Sequence, residues 1–495
     1  MTIALAIMAT AFAVAIALGL LARRGHVMTL EQWSVGGRGF GGVFVFLLMA
    51  GEIYTTFTFL GGSGWAYGKG APAFYILCYG ALAYALSYFL LPVIWRYARE
   101  HRLLSQADYF TSKFGSPGLG VLVSVVSVIA IVPYLVLQLK GLGIIVSEAS
   151  YGAITSNSAV WISSAVLVVY VVVSGVRGSA WTAVVKDVMI LIVAIALGVY
   201  LPLHYYGGMR TMFERIEAAK PGFLTLPATG MSPSWFISTV ILTTLGFYMW
   251  PHTFGAVYTA RHEDVFRRNA VVMPLYQLVL LFVFLAGFAA IQQVPGLTGS
   301  AADLSLLRVS RQTFGPWVVG TIGAAGLLTA LVPGSMLLMT AATLIAKNVY
   351  GRLAPRTPEA HVTLLAKWLV PVIALVSVYF TVRGGESLVT LLLMGYNFVT
   401  QLFPPLLFSL GRKPYATRAG AFAGIISGVA MVAWLTLSGV SMATLVPSWP
   451  DVVKDINAGI IAMLVNTVVL LAVSLATGPR RAVQSAVTAR PVSSR

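Results

Sequence analysis

Long apolar runs separated by short polar joints repeat from one end of the chain to the other. Each run is close to the ~20 residues that an α-helix needs to cross a hydrocarbon core of about 30 Å. The length rule predicts thirteen spans: 2–22, 40–64, 71–95, 117–147, 157–176, 179–203, 235–259, 270–293, 316–346, 365–382, 387–410, 418–440 and 457–478. Strands of alternating hydrophobicity are absent from the pattern, so helices rather than a barrel are expected to cross the membrane. The first run has no basic residue before it and no small-residue cleavage site, and it reads as a retained helix, not a signal peptide.

Two spans carry a helix breaker near the middle. LLMAGEIYTTFTFL, residues 47–60, holds Gly51 beside Glu52; LGFYMWPHTFGAVY, residues 245–258, holds Pro251 beside His252. Glycine weakens a helix interior, and proline lacks the amide that an interior position donates, so both breaks free backbone groups at bilayer depth. A packing kink explains either break alone. Breaks at matching places in two halves point to a transport site, and the spans divide accordingly. Spans two to six and seven to eleven are two groups of five, and an odd group size gives them opposite orientation, the arithmetic of an inverted repeat. The expected organisation is a first helix and loop over 1–39, one repeat over 40–203, a second over 235–410, two further helices over 411–478 and a tail over 479–495.

Composition excludes a soluble domain: 58% of residues are hydrophobic, 9% are charged and the mean hydropathy is +0.87. The net charge of +17 does not lie on one face suited to nucleic acid but in the joints between spans. With the amino terminus outside, 22 of the 32 Lys and Arg fall in cytoplasmic joints, which predicts that orientation with the carboxy terminus inside. Cys78 is the single cysteine, so no intrachain disulfide forms. Enzyme signatures are missing: there is no Walker loop or nucleophile elbow, and His262-Glu263 starts a zincin-like pattern that Phe266 interrupts. The expectation is a carrier without cofactor in a bacterial inner membrane, with lipid and a small molecule as partners and an ion gradient as its drive. Oligomeric state is not readable.

Ionisable side chains in a span are costly and mark pathways or partners, so Glu52, Lys186, Asp187 and, nearer a membrane face, Lys140 are candidates. Lys186 lies about 10 Å into the sixth span, too deep to snorkel easily, and could pair with Glu52 if the broken second span lies beside it. A static ion pair between helices is the competing explanation. Lys140 either snorkels or attracts an anion. His252 either binds substrate or satisfies a freed carbonyl. Tyr54, Thr55, Gln138, Tyr248, Trp250, Pro251, Tyr396 and Asn397 complete the candidate substrate contacts.

Several of these stretches resemble the sodium/solute symporter family, and within it the bacterial monocarboxylate permeases. They are residues 47–70, LSQADYFTSKFGSPGLGVL (104–122), SGVRGSAWTAVVKDV (174–188), YMWPHTFGAVYTAR (248–261), LTALVPGSMLLMTAATLIAKNVY (328–350) and GYNFVTQLFPPLL (395–407). The monocarboxylate branch rests on GEIYTTFTF, AVVKD and MWPHT. The resemblance implies an all-α leucine-transporter-type fold: two inverted five-helix repeats plus three extra helices, about 13 in total.

It also implies a sodium site built from carbonyls of Ala50 and Ile53, with Glu52 at the acidic position, and from Thr329, Val332 and Pro333 on the eighth core helix. Both hydroxyls expected at the last two positions are missing, the family's aspartate falls on Ala183 and its following glutamine on Lys186. A site that loses oxygens and gains an ammonium suits sodium poorly. The coupling site is therefore read as Ala50, Glu52, Ile53, Lys186, Asp187 and Thr329, with H+ or Na+ as the ion and Lys186 in the electrostatic place of sodium. The solute expected is a monocarboxylate such as pyruvate, lactate or acetate. Sodium-coupled uptake of proline, a sugar or another neutral solute stays open, as do an uncoupled anion channel, a transport-like sensor and an intramembrane enzyme using Glu52 or His252.

Overall fold

The computed structural model describes residues 2–25, 29–411, 414–440 and 442–478. The tail expected at 479–495 lies outside them, as do Arg412 and Lys413. Among the described residues the protein is all helical, with ten helices long and apolar enough to cross a membrane. One of them, Ser156–Tyr206, is two spans in one, because Gly175 adopts φ 59° and turns the chain there. Only glycine takes that conformation without strain, and the space a Cβ would need is filled by Trp33, 2.8 Å away. Counting that helix twice and adding the two interrupted spans gives thirteen crossings, in the order the apolar runs predict.

Span 1 is Thr2–Arg23. Span 2 is broken into Gly42–Gly51 and a second half, Phe57–Gly61 continuing as Gly62–Lys69. Spans 3 and 4 are Ala71–Glu100 and Pro117–Ala149, and spans 5 and 6 are the two parts of Ser156–Tyr206. Span 7 is Pro233–Gly246 with Phe247–Met249, then, after its break, Pro251–Val257. Spans 8 to 11 are Asp264–Gln293, Pro316–Leu353, Glu359–Arg383 and Leu388–Leu407; spans 12 and 13 are Arg418–Ser438 and Ala458–Thr477. Predicted boundaries differ mainly where a helix runs beyond the apolar stretch on polar residues, as span 8 does from Asp264 and span 10 from Glu359.

Burial sorts these spans into a centre and a rim. The apolar window of span 9 is 94% buried and that of span 4 is 67%, against 22% for span 1 and 28% for span 13. Span 9 is therefore enclosed almost throughout and span 4 over most of its length, with Val125 and Ile129 on its exposed side, and the broken helices lie against both. In a bilayer the hydrophobic effect does not press helices together, so close approach depends on small residues. Gly141 and Gly326 show it: a Cβ on Gly141 would stand 2.5 Å from Thr56, and one on Gly326 3.1 Å from Phe59.

The two halves also meet on the face that carries the basic joints. Phe40 N–H donates to Thr259 O and Arg261 N–H to Phe40 O, both at 3.0 Å, which pairs the strand-like entry to span 2 with the exit from span 7. Trp95 Nε1 donates to Ala260 O at 2.9 Å and closes the joint from span 3.

Candidate functional site

The first break is held open by side chains. Ile53 N–H reaches back to Ala50 O at 2.9 Å, a tight i−3 bond, after which helical bonding stops. Thr58 Oγ1 donates to Ile53 O at 2.6 Å and accepts from Thr55 N at 3.0 Å, so a hydroxyl replaces the missing backbone partners. Thr55 Oγ1 accepts from Phe57 N at 3.1 Å. At the second break Trp250 has φ −59° and ψ 125°, the extended conformation that a following proline enforces. The carbonyl freed there, Phe247 O, accepts from Thr253 Oγ1 at 3.0 Å; the same hydroxyl lies 2.8 Å from Trp250 O, which also accepts from Phe254 N. That service was an alternative assigned to His252, and Thr253 performs it instead.

His252 is thereby left for another partner. Its Nε2 lies 2.7 Å from Glu52 Oε2, with side chains 0% and 4% exposed. The two breaks are joined by this one pair. Nε2 and Glu52 Oε2 share one hydrogen bond, while His252 Nδ1 and Glu52 Oε1 have no protein partner. Glu52 does not pair with Lys186, contrary to the sequence expectation. Proline at 251 restarts the helix with His252 in its first turn, aimed at the first break, and no one-dimensional spacing relates residues 52 and 252.

Lys186 goes to the other side of the first break. Its Nζ donates to Gly51 O at 3.2 Å and Tyr54 O at 3.4 Å, and lies 2.9 Å from Asp187 Oδ1. The ammonium is fully buried, so these three oxygens replace the water it has lost. Adjacent residues diverge by about 100° on a helix, yet the long lysine chain curls back to its own neighbour. The carbonyls engaged are one residue further along than Ala50 and Ile53, which bond within the break.

Span 9 closes this side with a methyl. A Cβ built on Gly51 would be 3.5 Å from Lys186 Nζ and 3.7 Å from Val332 Cγ1, so Val332 faces the point where a hydroxyl was expected and has none. Thr329 Oγ1 donates to Gly326 O within its own helix at 2.6 Å. Ser335 does not substitute: its hydroxyl bonds Val332 O and Ser179 Oγ, each at 2.7 Å, and Ser179 precedes Lys186 by about 10 Å of helix.

The aromatic candidates divide. Trp250 and Tyr396 rings lie 5.3 Å apart beside the second break, and Gln138 Oε1 accepts from Thr56 Oγ1 at 2.6 Å. Tyr54 turns away and donates to Tyr276 O at 3.0 Å. Tyr248 packs on Phe247, 5.0 Å between rings, and Asn397 faces span 13, where a Cβ on Gly459 would be 2.4 Å from its Oδ1. Lys140 donates to Glu386 O near the face opposite the basic joints, away from both breaks. Sequence reasoning missed Tyr134, whose ring is 5.0 Å from Trp250 and 5.6 Å from His252. Its position one turn before Gln138 on span 4 was the available signal.

Below the site, towards the basic face, a narrow cavity of about 20 Å³ has room for one water and is lined by His252, Ser34, Ser105, Thr340 and Thr343 among others. A carboxylate network seals it from that face. Asp108, on the short helix Gln106–Phe114, accepts from Leu104 N at 2.9 Å, Ser105 N at 3.0 Å and Asn348 Nδ2 at 2.7 Å, and pairs with Lys347. Burial by itself would raise this carboxyl; the Lys347 ammonium and the hydrogen bonds outweigh it and hold the group below the usual carboxylate range.

Comparison with known proteins agrees with this geometry. Residues 33–428 match the model of the sodium:solute symporter family. An uncharacterized symporter of Bacillus subtilis strain 168, YhjB, is 65% identical over 96% of this chain and 98% of its own. A monocarboxylate transport permease protein of Rhizobium johnstonii is 28% identical over 81% of this chain and 82% of its own. Among solved structures, a Na+-coupled sialic acid symporter in a substrate-bound outward-open state superposes with a TM-score of 0.78 at 16% identity, over 96% of this chain and 98% of the other. That likeness is one of fold: the leucine-transporter type, two inverted five-helix repeats with three further helices.

Proposed function

The chain belongs to the sodium:solute symporter family and is a multi-pass membrane carrier for ion-coupled solute symport, and we propose that it imports a small monocarboxylate such as pyruvate, lactate or acetate. We place it in the bacterial inner membrane with the basic face in the cytoplasm, the amino terminus outside and the carboxy terminus inside. The relatives support the solute through the permease of Rhizobium johnstonii. The solute would sit between the two breaks, against Glu52, His252, Trp250, Tyr134 and Gln138, where apolar rings and a few polar groups meet. Rocking of the broken helices against spans 4 and 9 would expose it alternately to the two faces.

The observation that carries the coupling proposal is the position of Lys186 Nζ, donating to two carbonyls of the first break with Asp187 beside it. The ammonium takes the electrostatic place of the coupling cation, and the gradient used is then one of protons. Sodium coupling is the second reading, favoured by relatives at 21–22% identity named sodium/proline and sodium/pantothenate symporters.

Purified protein in liposomes, given labelled pyruvate under a pH gradient or a sodium gradient applied separately, tests both parts. Accumulation with the pH gradient alone is expected. Strict dependence on sodium would overturn the lysine-for-sodium reading, and drive without uptake of any of the three acids would overturn the solute. Flux without accumulation would make the protein a channel.

A further inference from the structure

On the face opposite the basic joints, the segment Gly299–Leu304 lies across the outer half of the first broken helix. A Cβ on Gly64 would stand 2.9 Å from Asp303 Cα, N and Oδ1, so the two backbones meet closely and the carboxyl lies against the glycine. Asp303 is 1% exposed. Its Oδ2 accepts from Leu388 N at 3.0 Å, in the first turn of span 11, and its Oδ1 has no partner. One carboxyl group therefore touches the broken helix, the joint between spans 8 and 9, and span 11.

The charged groups around it leave it largely uncompensated. Lys140 of span 4 is near, but its ammonium donates to the carbonyl of Glu386 instead. Glu386, before span 11, and Lys69, at the end of the broken helix, are exposed. Arg308 and Arg311, further along the joint, are committed to Glu148, and Tyr67 donates to Val294 O at 2.6 Å. Burial pushes the Asp303 carboxyl up to about 7, with the Leu388 amide and Lys140 pulling it only partly back.

We propose that Asp303 is a proton-binding latch on the outer gate, which closes with this carboxyl neutral and opens as it ionises into water. The inference rests on the orientation proposed above, and on neither the solute nor the coupling ion. When the joint lifts from Gly64, water reaches Asp303 and its pKa falls to the ordinary value near ~3.9. The closed state thus binds the proton more tightly than the open one. Its advantage is fully present below about pH 4 and is lost as pH rises through about 7. Closing takes a proton from the outer solution and reopening returns it there, so this proton regulates the gate without being carried across.

The test reads the gate directly, with no solute and no gradient, so failure of the monocarboxylate reading would leave it intact. In a Cys78→Ser background, Ala302→Cys places a thiol that is 6% exposed when the joint is seated. Its labelling by a membrane-impermeant reagent, normalised to the exposed Thr225→Cys to remove thiol ionisation, follows the open population. Labelling is expected to rise roughly thirtyfold from pH 5.5 to pH 8, and Asp303→Asn should flatten it at the low, closed level. A parent protein whose labelling ignores pH, or an Asp303→Asn protein that keeps the dependence, overturns the proposal. Should Asp303→Asn fail to fold, Lys140→Gln serves: losing that ammonium moves the midpoint to higher pH, and an unmoved midpoint is equally fatal.

Discussion

The imidazole of His252 and the carboxylate of Glu52 meet at 2.7 Å, and each stands at the interruption of a different helix. One belongs to each inverted half, so the pair ties together the two elements that alternating access has to move. Its burial makes it costly to disturb, because neither group can turn to water. Removing one partner of a buried pair typically costs about 3–5 kcal/mol, most of it from the charge left behind.

Glu52→Gln and His252→Ala are each expected to lower stability by about 3–5 kcal/mol and to abolish uptake. Glu52→Gln with His252→Gln, which removes both ionisable groups and keeps polar groups able to bond, should recover most of the stability and none of the uptake. Thermal unfolding in detergent beside labelled-solute uptake in vesicles checks this. A single variant that unfolds at the parent midpoint would show that the pair is not buried together as described.

Lys186 and Asp187 give a sharper separation of scaffold from coupling. Lys186→Met alone strands the buried Asp187 carboxylate and is expected to cost about 3–5 kcal/mol, whereas Lys186→Met with Asp187→Leu removes both charges and restores folding. If the ammonium stands for the coupling cation, the double variant folds but no longer accumulates solute under a pH gradient. Full proton-driven accumulation by that variant would reduce the pair to a static brace.

Gly64 allows the outer joint to seat, since a Cβ there would lie 2.9 Å from the backbone of Asp303. Backbone cannot rotate aside as a side chain can, so Gly64→Ala is expected to prop the gate. Uptake should fall by at least about tenfold while solute binding from the outer side persists, because the open form is favoured at the expense of closure. Equilibrium binding and initial uptake rates measured on the same vesicles would reveal the split. An equal loss of both would point to misfolding.

On the basic face, Asp108 is held below the usual carboxylate range by Lys347 and by amide donors, against burial. A carboxyl depressed in the folded state contributes stability that is present above its unfolded value near ~3.9 and is lost as pH falls through the folded value. The seal should therefore be indifferent to pH between about 5 and 8 and weaken only in acid below about 4. Asp108→Asn should remove that acid dependence and destabilise the protein at pH 7 by about 3 kcal/mol. Unfolding midpoints from pH 3.5 to 8 for parent and variant test the sign.

Much of this molecule is legible in its sequence because membrane helices are written in a local code. Hydropathy over ~20 residues places thirteen crossings. Gly51 and Pro251 mark the breaks, since what they withhold, a side chain or an amide, acts within one turn. The depth of Glu52 and Lys186 follows from counting residues along a span. Which partner each charge takes is not local. Glu52 went to His252, 200 residues away, and Lys186 to its own neighbour and two carbonyls, where helix angles suggested divergence. Asp303 left no mark at all: an acid in a polar joint reads as solvated until the joint is seen folded onto Gly64.

Sequence alone, then, determined the number of spans, the two interruptions, the opposed halves and the family resemblance, because each depends on contacts within a turn or on a sum over a span. Tertiary structure decided the pairing at the breaks, the methyl of Val332 against Gly51 and the burial of Asp303. Those depend on which surfaces of distant helices close against one another, and on charges that find their partners only after water has been excluded.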